Sequence, residues 1–228
     1  MSGFFLLLCA VGMAIQIAFI VVEKKNNFKL ALILKTIASI VFILAGFYCM
    51  GNCPDSSRAW YIIIGLIMGS FGDFFLNLQF VVKEKLAELM FIVGAVAFLV
   101  GHVFYFMSLL PAAKDVLMVS FLITAVFTGV TMSWVYSRNV IPFGLKVFGI
   151  FYIGAVAFIT VIAAVYYIQN PTSIASLILS IGAVLFTASD LVLIFDMFGE
   201  KKPWMRVANL VLYYSAQLVI ASSLLFVM

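Results

Sequence analysis

Eight runs of about 20 apolar residues follow one another along this 228-residue chain, and they leave it few ways to fold. They cover residues 3–22, 29–50, 59–80, 87–109, 115–136, 142–168, 173–196 and 205–227. At 1.5 Å of rise per residue, a run of this length crosses a hydrocarbon core of about 30 Å. In that core a lone strand would leave its backbone polar groups without partners, whereas a helix pairs them internally. The breaks are short: EKKNNFK, GNCPDSSR, VKEK, PAAKD, SRN, QNPTS and GEKKPWMR. No soluble domain or long linker fits between the runs. The expectation is an all-α membrane protein in which residues 1–228 form a single bundle of eight transmembrane helices.

Composition agrees. The chain is 66% hydrophobic and 10% charged, with a mean hydropathy of +1.27. A soluble domain carries about 25% charged residues. The net charge of +4 would suggest nucleic acid as a partner for a soluble protein. Here the cations fall in short loops, where they orient helices and meet anionic headgroups, so the bilayer is the expected partner and nucleic acid is not. Loops after the odd-numbered runs, with their flanks, carry Lys24, Lys25, Lys29, Lys83, Lys85, Arg138, Lys146, Lys201, Lys202 and Arg206, while the even-numbered loops carry only Arg58 and Lys114. This bias places the odd loops in the cytoplasm and both termini on the non-cytoplasmic side. The first run lacks a basic leader and a small-residue cleavage site, and so reads as a membrane span. Cys9, Cys49 and Cys53 form no metal pattern, and neither metal nor cofactor is expected.

Against this background the informative residues are the polar ones inside the runs. An ionisable side chain at bilayer depth costs several kcal/mol and usually has a partner or a function. Asp73 lies in GLIMGSFGDFFLNLQF, ten residues before Lys83, about 15 Å of helix. Asp190 lies in SIGAVLFTASDLVLIFDMF, eleven residues before Lys201, on a helix running the same way. Similar depth is expected for the two. Ser70 and Asn77 share the helix face of Asp73. Lys35 lies near the cytoplasmic end of the second helix, where it either snorkels to the surface or turns inward to pair with an aspartate or bind a phosphate. His102 is the single histidine, two-thirds of the way across the fourth helix, either as a packing residue or as part of a site. Tyr213 and Gln217 are four apart on the eighth helix, with Tyr214 beside them.

Residues 94–102 read GAVAFLVGH, residues 182–190 read GAVLFTASD, and residues 65–73, GLIMGSFGD, share the first glycine and the small-then-polar ending. Close helix packing and an ancient duplication both explain the likeness. In either case a small residue directly precedes a polar one, and the expectation is open space beside the polar group.

No nucleophile elbow, HExxH pattern, P-loop or dinucleotide fingerprint is present. One histidine argues against a multi-histidine zinc site. Two buried carboxylates in unequal surroundings can divide the roles of acid and base, as glycosidase pairs do across an oxocarbenium-like transition state.

The ordered set GSFGDFFL, FLVGHVFYF, LFTASDLVL and YYSAQLVIASS, on eight predicted helices, resembles the YhhN family of multi-pass membrane proteins, which contains the lysoplasmalogenases. The resemblance implies a hydrolase of the vinyl ether bond of lysoplasmalogens, lysophospholipids with an alkenyl chain, releasing a fatty aldehyde and a glycerophospho-base. It places the family's polar positions on Asp73, His102, Asp190, Tyr214 and Gln217. The family's second helix carries a Lys-Pro pair where this chain has Lys35-Thr36. Taken with the reading of the residues, Asp73 and Asp190 are the expected catalytic pair. Lys35, Asn77, His102, Tyr213, Tyr214 and Gln217 are the expected substrate contacts. One protonated aspartate would protonate the vinyl carbon distal to the ether oxygen. The other, ionised, would stabilise the oxocarbenium ion and help water attack, and the hemiacetal would then collapse. The expected location is the inner membrane in a bacterium or the endoplasmic reticulum in a eukaryote. A proton-coupled transporter or lipid-binding protein is the rival reading, and a structural assembly partner a third.

Overall fold

Each polar break becomes a turn and each apolar run a helix. The structure, a computed structural model, describes residues 3–138, 140–199 and 202–226. Lys201, one of the cations used to orient the chain, lies outside the described residues. The helices are α1 (Gly3–Lys24), α2 (Phe28–Met50), α3 (Ser56–Leu78), α4 (Glu84–Leu109), α5 (Leu117–Arg138), α6 (Phe143–Gln169), α7 (Ile174–Phe198) and α8 (Pro203–Ser222). Short 3-10 turns at Lys114–Val116 and Ser223–Phe226 lead into α5 and follow α8. Among the described residues there is no strand, and eight helices are long and apolar enough to cross a membrane. The protein is an integral multi-pass membrane protein.

The helix starts follow local chemistry. Asn27 caps α2, its side chain accepting from the Leu30 N–H at 3.3 Å, and Asp55 caps α3 by accepting from Arg58 N–H at 3.0 Å. Asn26 turns the chain between α1 and α2 at φ 59°, a left-handed conformation that asparagine tolerates better than most residues. Pro203 opens α8, where its missing N–H costs nothing. The last carbonyls of α4 have no intrahelical donors, and the Arg58 guanidinium serves one of them, donating from Nε to the Ser108 carbonyl at 2.8 Å.

The chain divides into two compact units of four helices. Of the described residues, those within 3–108 and 224–226 form unit 1, and those within 109–223 form unit 2. In unit 1, α3 and α4 meet along two pairs of glycines seven residues apart. A Cβ on Gly94 would stand 3.1 Å from the Gly72 carbonyl oxygen, and one on Gly101 would stand 3.1 Å from the Gly65 carbonyl oxygen. Small residues let membrane helices approach this closely. In unit 2, α7 meets α8 at Gly182, where a Cβ would stand 2.7 Å from Ile220 Cγ1.

The expected space beside the polar residues is not there. A Cβ on Gly72 would lie 2.6 Å from the Phe98 ring, which fills the place next to Asp73. Gly101, before His102, faces the backbone of α3, and Ser189, before Asp190, is hydrogen-bonded to Asn209. These small residues serve helix packing.

The units repeat one arrangement. On the third helix of each, a glycine faces the fourth helix and an aspartate follows eight residues later: Gly65 against Tyr105 with Asp73, and Gly182 against Ile220 with Asp190. Residues 94–102, whose letters match 182–190 best, lie on a fourth helix, so likeness in letters and likeness in place do not coincide. The pentapeptide GAVAF also recurs at 154–158 on α6.

Candidate active site

Lys35 and Asp73 come from neighbouring antiparallel helices, one near the start of α2 and the other near the end of α3. Lys35 Nζ lies 3.3 Å from Asp73 Oδ1, and the lysine is 1% exposed. It does not snorkel. Its ammonium also stands 5.5 Å from the centre of the Phe19 ring on α1, a cation–π distance. The other carboxylate oxygen, Oδ2, accepts from Ser39 Oγ at 2.5 Å. Ser39 lies four residues after Lys35, so one face of α2 presents both groups to Asp73. Asn77 is buried one turn beyond Asp73 and donates to the Asp73 backbone carbonyl at 2.8 Å, which fixes the last turn of α3. That helix ends at Leu78, five residues after Asp73, so the aspartate lies about 8 Å of helix from the end and a straight count to Lys83 overstates its depth.

His102 does not join this cluster. Its neighbour Gly101 is registered against Gly65, eight residues before Asp73, about 12 Å away along α3. Its Nδ1 pairs with the Phe98 carbonyl of its own helix at 2.8 Å, and its ring meets Tyr105 edge-on with centroids 5.9 Å apart.

In unit 2, Asp190 is 5% exposed and shares a side-chain hydrogen bond with Tyr152 of α6. Its Oδ2 is buried without a hydrogen-bond partner, and among the described residues no ion pair reaches it. The preceding Ser189 ties α7 to α8: its hydroxyl donates to the Asn209 carbonyl at 3.0 Å, and Asn209 Nδ2 donates to the Ser189 carbonyl at 3.0 Å. One turn before Asp190, Phe186 packs edge-on against Tyr213, centroids 5.4 Å apart. Gln217 Nε2 donates to the Tyr213 hydroxyl at 3.0 Å, so these two residues do share a face, and Tyr214 beside them is fully buried.

The expected site residues therefore fall into groups: Lys35, Asp73 and Asn77 in unit 1, with His102 apart from them, and Asp190 and the Tyr213–Gln217 pair in unit 2. Ser39 and Tyr152 were not anticipated. Among the described residues no three His, Cys, Asp or Glu side chains cluster closely enough to hold a metal ion.

Residues 30–224, most of the chain, match the YhhN family. The chain belongs to the YhhN family. The match includes every residue just described except those on α1, and it spans both four-helix units. Comparison with curated proteins and with solved structures gave no match. The aspartates of this YhhN chain thus stand at corresponding stations, one held by a cation and a hydroxyl, the other by a phenol.

Proposed function

We propose that this chain is a membrane-embedded hydrolase that cleaves the vinyl ether bond of lysoplasmalogens, releasing a fatty aldehyde and a glycerophosphoethanolamine or glycerophosphocholine. The observation that carries the reading is a pair of buried carboxylates, each at the same station of its own unit, in a chain of the YhhN family, which contains the lysoplasmalogenases. The reacting bond of such a lipid lies just below the headgroup, within reach of side chains inside the membrane.

Protonation of the distal vinyl carbon leaves an oxocarbenium ion on the ether side. A carboxylate stabilises that cation and takes a proton from the attacking water. The hemiacetal then expels the glycerol oxygen, which picks up a proton as the aldehyde forms. Asp73 and Asp190 are the proposed acid–base pair, and no metal or cofactor enters the scheme. Lys35 acts on Asp73 as its counter-charge. His102, Tyr213, Tyr214 and Gln217 are the proposed substrate contacts, with Asn77 holding the end of α3. The positive-inside bias supports cytoplasmic odd-numbered loops.

Protein purified in detergent and given lysoplasmalogen should release aldehyde with no ion gradient present. Asp73→Asn and Asp190→Asn should each abolish release while keeping the helical circular dichroism of the parent. Full turnover by Asp73→Asn refutes the scheme. Gradient-dependent uptake of the lipid into vesicles, without cleavage, identifies a transporter instead.

A further inference from the structure

One face of α5 carries buried polar groups that no step of the proposed reaction uses. Ser120, Thr124 and Thr128 follow one another along it at intervals of four residues, and none is more than 6% exposed. A Cβ on Gly154 of α6 would lie 3.9 Å from the Thr128 side chain, and one on Gly149 would lie 3.2 Å from Met132, one turn beyond Thr128. This stripe of α5 therefore faces α6, its neighbour within unit 2. A hydroxyl in a membrane helix can return its hydrogen to the carbonyl one turn back. Ser180 and Thr160 of the same unit do so, at 2.7 and 3.4 Å, and Thr160 also meets Thr187. The three hydroxyls of α5 do not: each is buried with no hydrogen-bond partner. Buried polar groups are ordinarily paired, and stranding three of them in a membrane-spanning unit is costly, so the stripe calls for a ligand.

The seam itself defines that ligand. The only charged side chains on α5 and α6 are Arg138 and Lys146, both at the far end of the seam, so its interior suits a neutral molecule. Successive hydroxyl-bearing residues stand about 6 Å apart along the helix. Two O–H···O bonds through one water molecule span about 5.6 Å. Beside Thr128 there is room for a methyl group, since a Cβ on Gly154 meets nothing nearer than 3.9 Å, and a methyl group and a water molecule are of similar size. Val116, one turn before Ser120, and Met132, one turn after Thr128, are buried and apolar, which bounds the polar segment at both ends.

We propose that the α5–α6 seam of unit 2 binds a file of ordered water, one molecule bridging each successive pair of hydroxyls and a further one beside Thr128 at Gly154. The file is about 12 Å long from Ser120 to Thr128. Its inner end lies at the turn of α6 that carries Tyr152, the partner of Asp190. The inference does not rest on the hydrolase reading and holds for any activity of the chain.

X-ray hydroxyl-radical footprinting of the full chain in detergent micelles tests it, because radicals formed from trapped water mark the side chains beside it even where bulk water does not reach. Met132 is 4% exposed and should be oxidised in the parent. Its rate should fall about fivefold or more in a Thr124→Val, Thr128→Val double variant, in which the water has lost its partners. Met118, exposed at the start of α5, should keep its rate and so reports the radical dose. Unfolding with a denaturing detergent gives a second readout, of opposite sign for a wet and a dry seam. In a wet seam Thr124→Val and Thr128→Val each strip a water of its partner and lower the midpoint. In a dry seam each removes a stranded hydroxyl and raises it. Gly154→Ala should also lower the midpoint, by displacing water, whereas in a dry seam the added methyl fills a void and alanine is the better helix former. A double variant that does not fold is replaced by Thr128→Val alone, read in the same way. Met132 unmarked in the parent, or marked equally after the threonine exchange, overturns the proposal. So does a midpoint that fails to fall in any of the three single variants.

Discussion

Replacing Lys35 by methionine removes the ammonium beside Asp73 while keeping a side chain of similar length. At 3.3 Å and an effective dielectric of about 20, the two charges attract by about 5 kcal/mol. Removing one member of a buried pair typically costs about 3–5 kcal/mol, because the remaining charge loses its partner but stays out of water. Lys35 and Asp73 are both buried, so Lys35→Met and Asp73→Asn should each fall in that range. The double variant has no buried charge left at this place, and should lie within about 1 kcal/mol of the parent. The assay is reversible unfolding from mixed micelles on titration with a denaturing detergent, followed by helical circular dichroism, for the four members of the cycle. The double variant should be less destabilised than the sum of the singles by about 3 kcal/mol or more. Additivity within about 0.5 kcal/mol would show that the two side chains do not act as a unit, and the account of Asp73 given above would fall with it.

At the α3–α4 seam, Gly101→Leu drives a side chain against the Gly65 carbonyl, which is backbone and cannot swing aside, and should cost about 1–3 kcal/mol in the same unfolding assay. Gly129→Ala on α5 meets nothing within 4 Å and should be neutral or stabilising by up to about 1 kcal/mol, since alanine is the better helix former. Arg58→Ala leaves the Ser108 carbonyl at the end of α4 without its donor and should cost about 1 kcal/mol. Burial first, and the Asp55 charge to a lesser degree, push the Cys53 thiol above its ordinary range, against backbone hydrogen bonding at Asp55 and the charge of Arg58, which pull the other way. With Cys9 and Cys49 replaced by alanine, Cys53 should therefore alkylate more slowly than a free thiol at pH 8 and gain rate as the pH is raised further. A membrane-impermeant maleimide should reach it from the non-cytoplasmic side.

The helices were legible because the bilayer enforces them, and their ends agree with the apolar runs to within about three residues, except that α8 ends at Ser222 and a 3-10 turn takes the chain on to Phe226. What joins the helices was harder to read. The Lys35–Asp73 pair bridges two helices, and nothing local separates an inward lysine from a snorkelling one. Ser39 did leave a trace, being a polar residue one turn after Lys35, but an isolated serine in a membrane helix has many uses. Tyr152 left none, because it sits in FGIFYIGAVAF among aromatic neighbours and only its partner on α7 distinguishes it. Gly72 was misread as space for a site. Seven-residue spacing in Gly65–Gly72 and Gly94–Gly101 was the signal of a close seam, and Phe98 fills what the glycine leaves.

The Ser39 hydroxyl lies within hydrogen-bonding distance of two acceptors, the Asp73 carboxylate at 2.5 Å and the Lys35 backbone carbonyl of its own helix at 3.0 Å. It has one hydrogen to give and lone pairs with which to accept. When Asp73 is ionised, that hydrogen points at the carboxylate. Should Asp73 take up a proton, the carboxyl can donate to Ser39 Oγ while the hydroxyl turns its own hydrogen to the carbonyl, and no heavy atom has to move. Asp73 can thus take up a proton and give it up again inside an unchanged frame, through a rotation about one C–O bond of Ser39.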